Sequence, residues 1–204
     1  MIGHINYLNL LPFYLFLKRR NIKIKKGVPS EINRLFEKRK IDAAFISSIK
    51  SKNKKCFDVG IVANKKVKSV LLCEGNGDDK DSATSNILAK QLNLKGKVVI
   101  GDKAFKEKNC IDLATEWHKK YNLPFVFARF CVNKNQKKYE KLIKKFLISK
   151  QKVPFFILKK YADNIGISYK EAREYLDNII YYKIGWKEKK ALKLFLSKSN
   201  KFLK

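Results

Sequence analysis

An α/β fold in two lobes is what this sequence predicts, and three observations carry the prediction. Strand-like and helix-like segments alternate over the first 48 residues. A polar, turn-rich break at Glu74 to Asp81 precedes a second, shorter α/β stretch, and beyond Val132 the pattern turns wholly helical. A chain of 204 residues with 45% apolar content is long enough to bury a real core.

Residues Ile2 to Ile5 read as a short strand, followed by a turn at Asn6 to Asn9 and an apolar helix through Arg20, with Asn9 placed to cap it and Pro12 in its first turn. A strand near Ile22 to Ile24 follows. Gly27 to Ser30 then makes a turn whose last residue caps a second helix, Glu31 to Arg39, and Ile41 to Ile46 is a buried strand ending in Ser47 and Ser48. This β-α-β-α-β order calls for a parallel sheet with right-handed crossovers, in which ligands bind at the carboxyl ends of the strands. Strands are expected at Asp58 to Ala63 and Val67 to Leu72. After the polar break come a helix from Ser82 to Leu92, a strand from Lys97 to Gly101, a helix from Asp112 to Tyr121 and a long strand from Pro124 to Val132. Helices near residues 136–149, 153–164, 168–182 and 186–197 complete the chain, with Ser168 and Glu171 spaced as a capping box. The expected lobes are 1–73 plus 130–204 and an inserted 74–129. Val67 to Cys73 and Phe125 to Val132 are the strands that cross between them, and the helical tail packs on the first lobe.

Forty-seven Lys and Arg against 18 Asp and Glu give a formal charge of +29. Such a field attracts any polyanion. The basic residues are spread along the whole chain, however, and are mostly Lys. Bidentate readers of phosphate and bases lean on Arg, which occurs only at 19, 20, 34, 39, 129 and 173. A generally basic surface is therefore expected, without a specific nucleic-acid partner. Cys56, Cys73, Cys110 and Cys131 have no Cys-x-x-Cys spacing and no partnering His pair, so neither a metal site nor a cofactor is expected. The apolar stretch at Tyr7 to Leu17 precedes its basic residues and is too short to span a bilayer. A cytoplasmic, membrane-free protein with reduced thiols is the expectation.

The strand ends share one chemistry. The first delivers Asn6 and Asn9, the second Gly27 and Ser30, the third Ser47 and Ser48, all beside helix N-termini that suit a carboxylate or phosphate. Taken singly, each reads as a cap or a turn; their convergence on one edge reads as a site. Thr84 and Ser85 open a similar helix start in the second lobe, and Gly101 and Asp102 make a tight strand exit. The crevice between lobes is the natural ligand position. No Gly-x-Ser-x-Gly, phosphate loop or metal motif is present, and His4, inside a buried strand, reads as a core histidine rather than a base.

Several motifs fall in an ordered set. They are His4-Ile-Asn-Tyr-Leu-Asn9 with Pro12, Gly27 with Pro29 and Ser30, Ile41-Asp42 with Ala44, Ser47-Ser48, Ser69-Val70, Thr84-Ser85, Val99-Ile-Gly-Asp102 with Ala104, Asp112-Leu113 with Trp117, and Leu123 to Ala128. The set resembles the chorismate dehydratases that open the futalosine route to menaquinone, over most of residues 2–130; Ile167-Ser168 and Tyr175-Leu176 match more loosely. The resemblance implies a fold like the type II periplasmic binding proteins and a lyase that converts chorismate to 3-[(1-carboxyvinyl)oxy]benzoate. It assigns Asn9 and Ser69 to the catalytic site, with Ser47, Ser48, Thr84, Ser85, Gly101 and Asp102 binding the substrate. A sister enzyme of the same route, releasing 1,4-dihydroxy-6-naphthoate, and a non-enzymatic small-anion binder are the alternatives. Two departures stand out. Ala83 occupies the position where the family has Arg, which either shifts the expected carboxylate contact to Lys68, Lys80 or Lys103 or removes it, and the second lobe is short between Leu92 and Lys97.

Overall fold

A computed structural model describes residues 1–149 and 152–202. β1 (Ile2–Ile5), α1 (Leu11–Lys18), β2 (Ile24–Gly27), α2 (Pro29–Glu37) and β3 (Ala43–Ser47) form the alternating unit. β1 lies between β2 and β3, parallel to both, with Ile2 opposite Ile24 and Ala43. β4 (Cys56–Ala63) then leads to the second lobe. There β5 (Val70–Cys73), α3 (Ala83–Gln91), β6 (Lys97–Ile100), the two-residue β7 (Ile111–Asp112) and α4 (Leu113–Tyr121) build a small antiparallel sheet in the order β6-β5-β7. β8 (Phe125–Val132) returns and inserts antiparallel between β3 and β4. α5 (Gln136–Ile148), α6 (Phe155–Ile165), α7 (Tyr169–Glu174), β9 (Ile180–Lys183) and α8 (Trp186–Ser199) follow, and the large sheet reads β2-β1-β3-β8-β4-β9.

Three expectations are corrected here. The tail is not wholly helical. The segment read as one helix over 168–182 keeps its Ser168–Glu171 capping box, but Tyr175–Ile179 winds as a π-helical turn and β9 follows. Ile180 and Tyr181 pair with Ala63 and Val62 on the edge of the large sheet, where β-branched and aromatic side chains fit a pleated surface. The lobe boundaries also move. β5 belongs to the small sheet and β8, along its whole length, to the large one, so the crossings fall at 64–69 and 122–124. Finally, α8 does not rest on the first lobe alone. Ala191 and Phe195 join the cluster of Leu88, Leu113, Trp117 and Phe125, and Gln91 Nε2 donates to Phe195 O at 3.0 Å and Ser199 Oγ at 2.8 Å.

The thiols are not free. Cys56 and Cys131 face each other on β4 and β8, Cys73 at the end of β5 meets Cys110 just before β7, and both pairs are disulfides. Strand register creates these pairs across 75 and 37 residues, which spacing along the sequence does not reveal. No helix among the described residues is long and apolar enough to cross a membrane.

The core of the first lobe is aromatic. Phe13 meets Phe45, Phe130 and Phe146 edge-on at ring distances of 5.0 to 5.7 Å, the arrangement that ring quadrupoles favour. This cluster fixes α1 and α5 on the sheet and so fixes the strand ends above it.

Candidate functional site: a cleft between the lobes

The carboxyl ends of β1 and β3 face the small sheet across a cavity of about 570 Å³, part of it open to solvent. Ile61, Val70, Ile100, Phe127 and Ala128 give it apolar walls, and Asn9, Ser47, Ser69, Asp81, Ser82 and Ser85 its polar groups.

Asn9 lies in a 3-10 turn, Leu8–Leu10, and caps no helix; the residue before α1 is Leu10, without a side-chain cap. Its carbonyl accepts from Tyr182 Oη at 2.6 Å, while its Oδ1 is buried beside the cavity with no hydrogen-bond partner. A buried acceptor left unpaired costs about 1–3 kcal/mol, so a partner from a ligand is the economical explanation. Ser30 is likewise no cap. It sits inside the first turn of α2, and its Oγ donates to Asp81 Oδ1 across the cleft at 2.7 Å.

Ser47 is held by a residue the sequence reading passed over. The buried Asn33 receives Ser47 N on Oδ1 at 3.0 Å and donates Nδ2 to Ser47 Oγ at 3.2 Å. Ser69 is held by another. Lys68 has a left-handed backbone (φ 59°), a conformation that costs energy for a residue with a Cβ. The Asp112 carboxylate clamps the turn by accepting Val67 N at 2.9 Å and Lys68 N at 2.7 Å, while its other oxygen caps α4 through Ala114 N and Thr115 N. Ser69 O in turn accepts Gly101 N at 2.8 Å. Gly101 has φ 70°, and a Cβ there would overlap the Tyr7 ring, so glycine lets the second lobe close on Tyr7. Tyr175, fully buried behind the cavity, places its hydroxyl 2.8 Å from Ser69 Oγ.

Of the residues expected at the site, Asn9, Ser47, Ser69, Ser85 and Gly101 line the cavity. The side chains of the other three are engaged elsewhere. Ser48 Oγ donates to Val126 O at 2.6 Å, Thr84 Oγ1 accepts Ile49 N at 3.2 Å, and Asp102 accepts Leu8 N at 2.9 Å and Tyr161 Oη at 2.7 Å. Asp102 thus joins the lobes beside the cavity. Lys68, Lys80 and Lys103 do not line it either; Lys68 pairs with Glu174 at 3.3 Å and Lys103 with Asp79 at 2.7 Å.

Titration follows burial. His4 is pushed down to about 4 by desolvation, with a smaller push from Lys26, so it is neutral at physiological pH and a poor proton acceptor. Burial holds the Asp102 carboxyl above its ordinary value, against the opposing pull of the Leu8 amide and the Tyr161 hydroxyl. Burial and the nearby carboxylates Asp81, Asp79 and Asp102 keep the Tyr7 phenol protonated. For metals, Cys73, Glu107 and Cys110 bring ligand atoms close together, but the two sulfurs are bonded to each other and offer no thiolate.

A cavity between two α/β lobes, walled by apolar side chains with a few convergent hydroxyls, one amide and one carboxylate, has the make-up of a small-ligand site in a fold of the type II periplasmic-binding-protein kind. The same fold appears in a crystallised protein of Archaeoglobus fulgidus (TM-score 0.71, 10% identity, covering 98% of this chain and 96% of that one). It appears again in the alkanesulfonate-binding protein SsuA of Xanthomonas axonopodis pv. citri bound to MOPS (TM-score 0.50, 10% identity, 98% and 91%). A family model described as menaquinone biosynthesis matches residues 1–92 and 80–201. The chain is also 47% identical to the chorismate dehydratase of Campylobacter jejuni subsp. jejuni serotype O:23/36 (strain 81-176), covering 96% of each. It belongs to the menaquinone biosynthesis family.

Proposed function

We propose that this protein dehydrates chorismate to 3-[(1-carboxyvinyl)oxy]benzoate, with the substrate lying in the interlobe cavity between Asn9 and Ser69. The observation that carries the reading is the 47% identity to a chorismate dehydratase over nearly the whole chain.

The cavity's chemistry supports it. In the reaction one ring C–H bond and one C–OH bond break, and the C–H electron pair becomes the third double bond of an aromatic ring. Proton and hydroxide leave together as water. Aromatisation drives the step, so the protein has to orient the substrate and hold the departing hydroxyl. The side-chain carboxylate of the substrate serves as base, and the polar lining of four serines, Asn9 and Asp81, whose carboxylate accepts from Ser30 Oγ, leaves the protein to orient the substrate. The N-terminal end of α3, with Ser82 and Ser85 on the cavity, supplies a favourable potential for a substrate carboxylate where Ala83 stands in place of the family's Arg. Release of a naphthoate by a histidine base draws no such support, since neither His4 nor His118 lines the cavity.

The test is direct. Purified protein incubated with chorismate is expected to yield the enolpyruvyl benzoate on chromatography, and chorismate left untouched at high enzyme concentration would overturn the reading.

A further inference from the structure

Asn33 is an odd choice for its place. It sits on the face of α2 that also buries Ile32 and Phe36, where it is 6% exposed and an apolar side chain would pack without burying a polar group. Its two bonds to Ser47 fix the direction of each proton between them. The Ser47 N–H can only donate, so the amide atom that meets it is Oδ1, and the amide nitrogen is the one turned to Ser47 Oγ. That nitrogen also can only donate, so Ser47 Oγ accepts. The O–H of Ser47 finds no acceptor among the described residues, and Ser47 lines the cavity. Its proton is left for a ligand.

The place of this donor says what it meets. Ile49 N donates to Thr84 Oγ1 at 3.2 Å, which seats the end of β3 against the first turn of α3, so Ser47 joins Ser82 and Ser85 at one corner of the cavity. A donor hydroxyl beside the positive end of a helix favours an anionic oxygen. We propose, resting on the dehydratase reading, that Asn33 is a positioning residue that holds the Ser47 hydroxyl as a donor to the ring carboxylate of the substrate. The choice between the two carboxylates follows from the chemistry. The side-chain carboxylate has to take a proton, and a bond donated to it in a positive potential would lower its basicity. The ring carboxylate stays charged from substrate to product and accepts the bond throughout. Asn33 thus selects for a carboxylate on the ring, through a contact that is the same before and during the reaction.

The experiment titrates the full chain by NMR with two pieces of the product. Benzoate carries the ring carboxylate alone, and 2-phenoxyacrylate the side-chain carboxylate alone. Ser47→Ala is expected to weaken benzoate about tenfold, the scale of one hydrogen bond to a charged group, and 2-phenoxyacrylate by less than about twofold. Asn33→Ala is expected to weaken benzoate about fivefold on its own and less than about twofold in a Ser47→Ala background, because its effect runs through that hydroxyl. An Asn33 effect undiminished without Ser47 makes the residue merely structural. A larger loss on 2-phenoxyacrylate than on benzoate, or no benzoate binding by the wild type, overturns the assignment. Should Asn33→Ala fold poorly, wild-type protein with labelled asparagine supplies a second readout. The Asn33 side-chain amide protons are expected to keep nuclear Overhauser contacts to Ser47 Hβ in the benzoate complex, and their loss on binding overturns the positioning role. With chorismate, Ser47→Ala is expected to raise KM about tenfold and leave kcat within about twofold, since the bond is uniform. A fallen kcat at unchanged KM would overturn the proposal by placing the bond in the transition state alone. Wild-type protein that turns over no chorismate sinks the dehydratase reading, while the two titrations still decide what Ser47 holds.

Discussion

The two walls of the cleft are built by different means. Asn9 and Ser47 stand on a six-stranded sheet backed by the Phe13, Phe45, Phe130 and Phe146 cluster. Ser69, Ser82 and Ser85 stand on a three-stranded sheet whose strands are two to four residues long. The turns and helix starts around these short strands are held instead by carboxylates that accept main-chain amides. Asp112 accepts four, Asp102 accepts Leu8 N, and Asp79 accepts Asp81 N. The first wall is rigid because of what it buries, the second because of a few acceptors aimed at main chain. Substitutions on the two walls should therefore fail differently.

The largest effects are expected from the facing pair. Asn9→Ala and Ser69→Ala should each lower kcat/KM about 100-fold or more, the usual scale for removing a donor or acceptor at a developing charge, with melting temperatures little changed. Near-normal turnover in both would dissolve the assignment of this cavity. Asp112→Ala should cost about 4 kcal/mol in chemical denaturation, because four charge-assisted bonds vanish and the left-handed turn at Lys68 loses its clamp. A loss below about 1 kcal/mol would show that the second wall does not depend on its carboxylates.

His4 gives the first wall a pH dependence of its own. Its folded value, about 4, lies below the unfolded value of 6.5, so between these pH values the unfolded chain binds the proton and the folded one does not. Stability from this group is intact above pH 6.5 and lost as pH falls towards 4, by about 3 kcal/mol at 1.36 kcal/mol per unit. Denaturation curves at pH 7 and pH 4.5 should show this loss in the wild type and a much smaller one in His4→Gln; parallel losses would place the acid sensitivity elsewhere. The smallest effect is expected at Asn33→Ala, about 2 kcal/mol, from leaving Ser47 N unpaired in the interior.

Legibility along the sequence follows the range of the interactions. β1 to β3 and their helices carry local signals, namely short apolar runs, Pro in first turns and a regular alternation, and they form the parallel unit that alternation calls for. Asn9, Ser47, Ser69, Ser85 and Gly101 come together on one cavity because strand ends converge by topology. What stayed hidden depends on partners far away in the chain. β9 becomes a strand only because β4 offers an edge, and the cysteines pair only through register. Tyr175 belongs to a predicted long helix and to the looser family match of the tail, with no local signal that aims it at the cleft, and its bond to Ser69 spans 106 residues. The π turn that aims it there has no pattern of its own in the sequence. Asp112 was visible as a helix start, but its second oxygen serves a turn more than forty residues earlier.

Two crossings of the chain let a pair of lobes swing like the covers of a book. This protein adds a third connection: the chain leaves β9 on the large sheet and lays α8 against α3 and α4, with Phe195 and Gln91 as its fasteners. A cover pinned at a point off its spine is expected to turn less. Ligand exchange is then expected through the open mouth of the cavity, with an unchanged radius of gyration in solution scattering when product is added, and loosening the fasteners by Phe195→Ala should restore the swing.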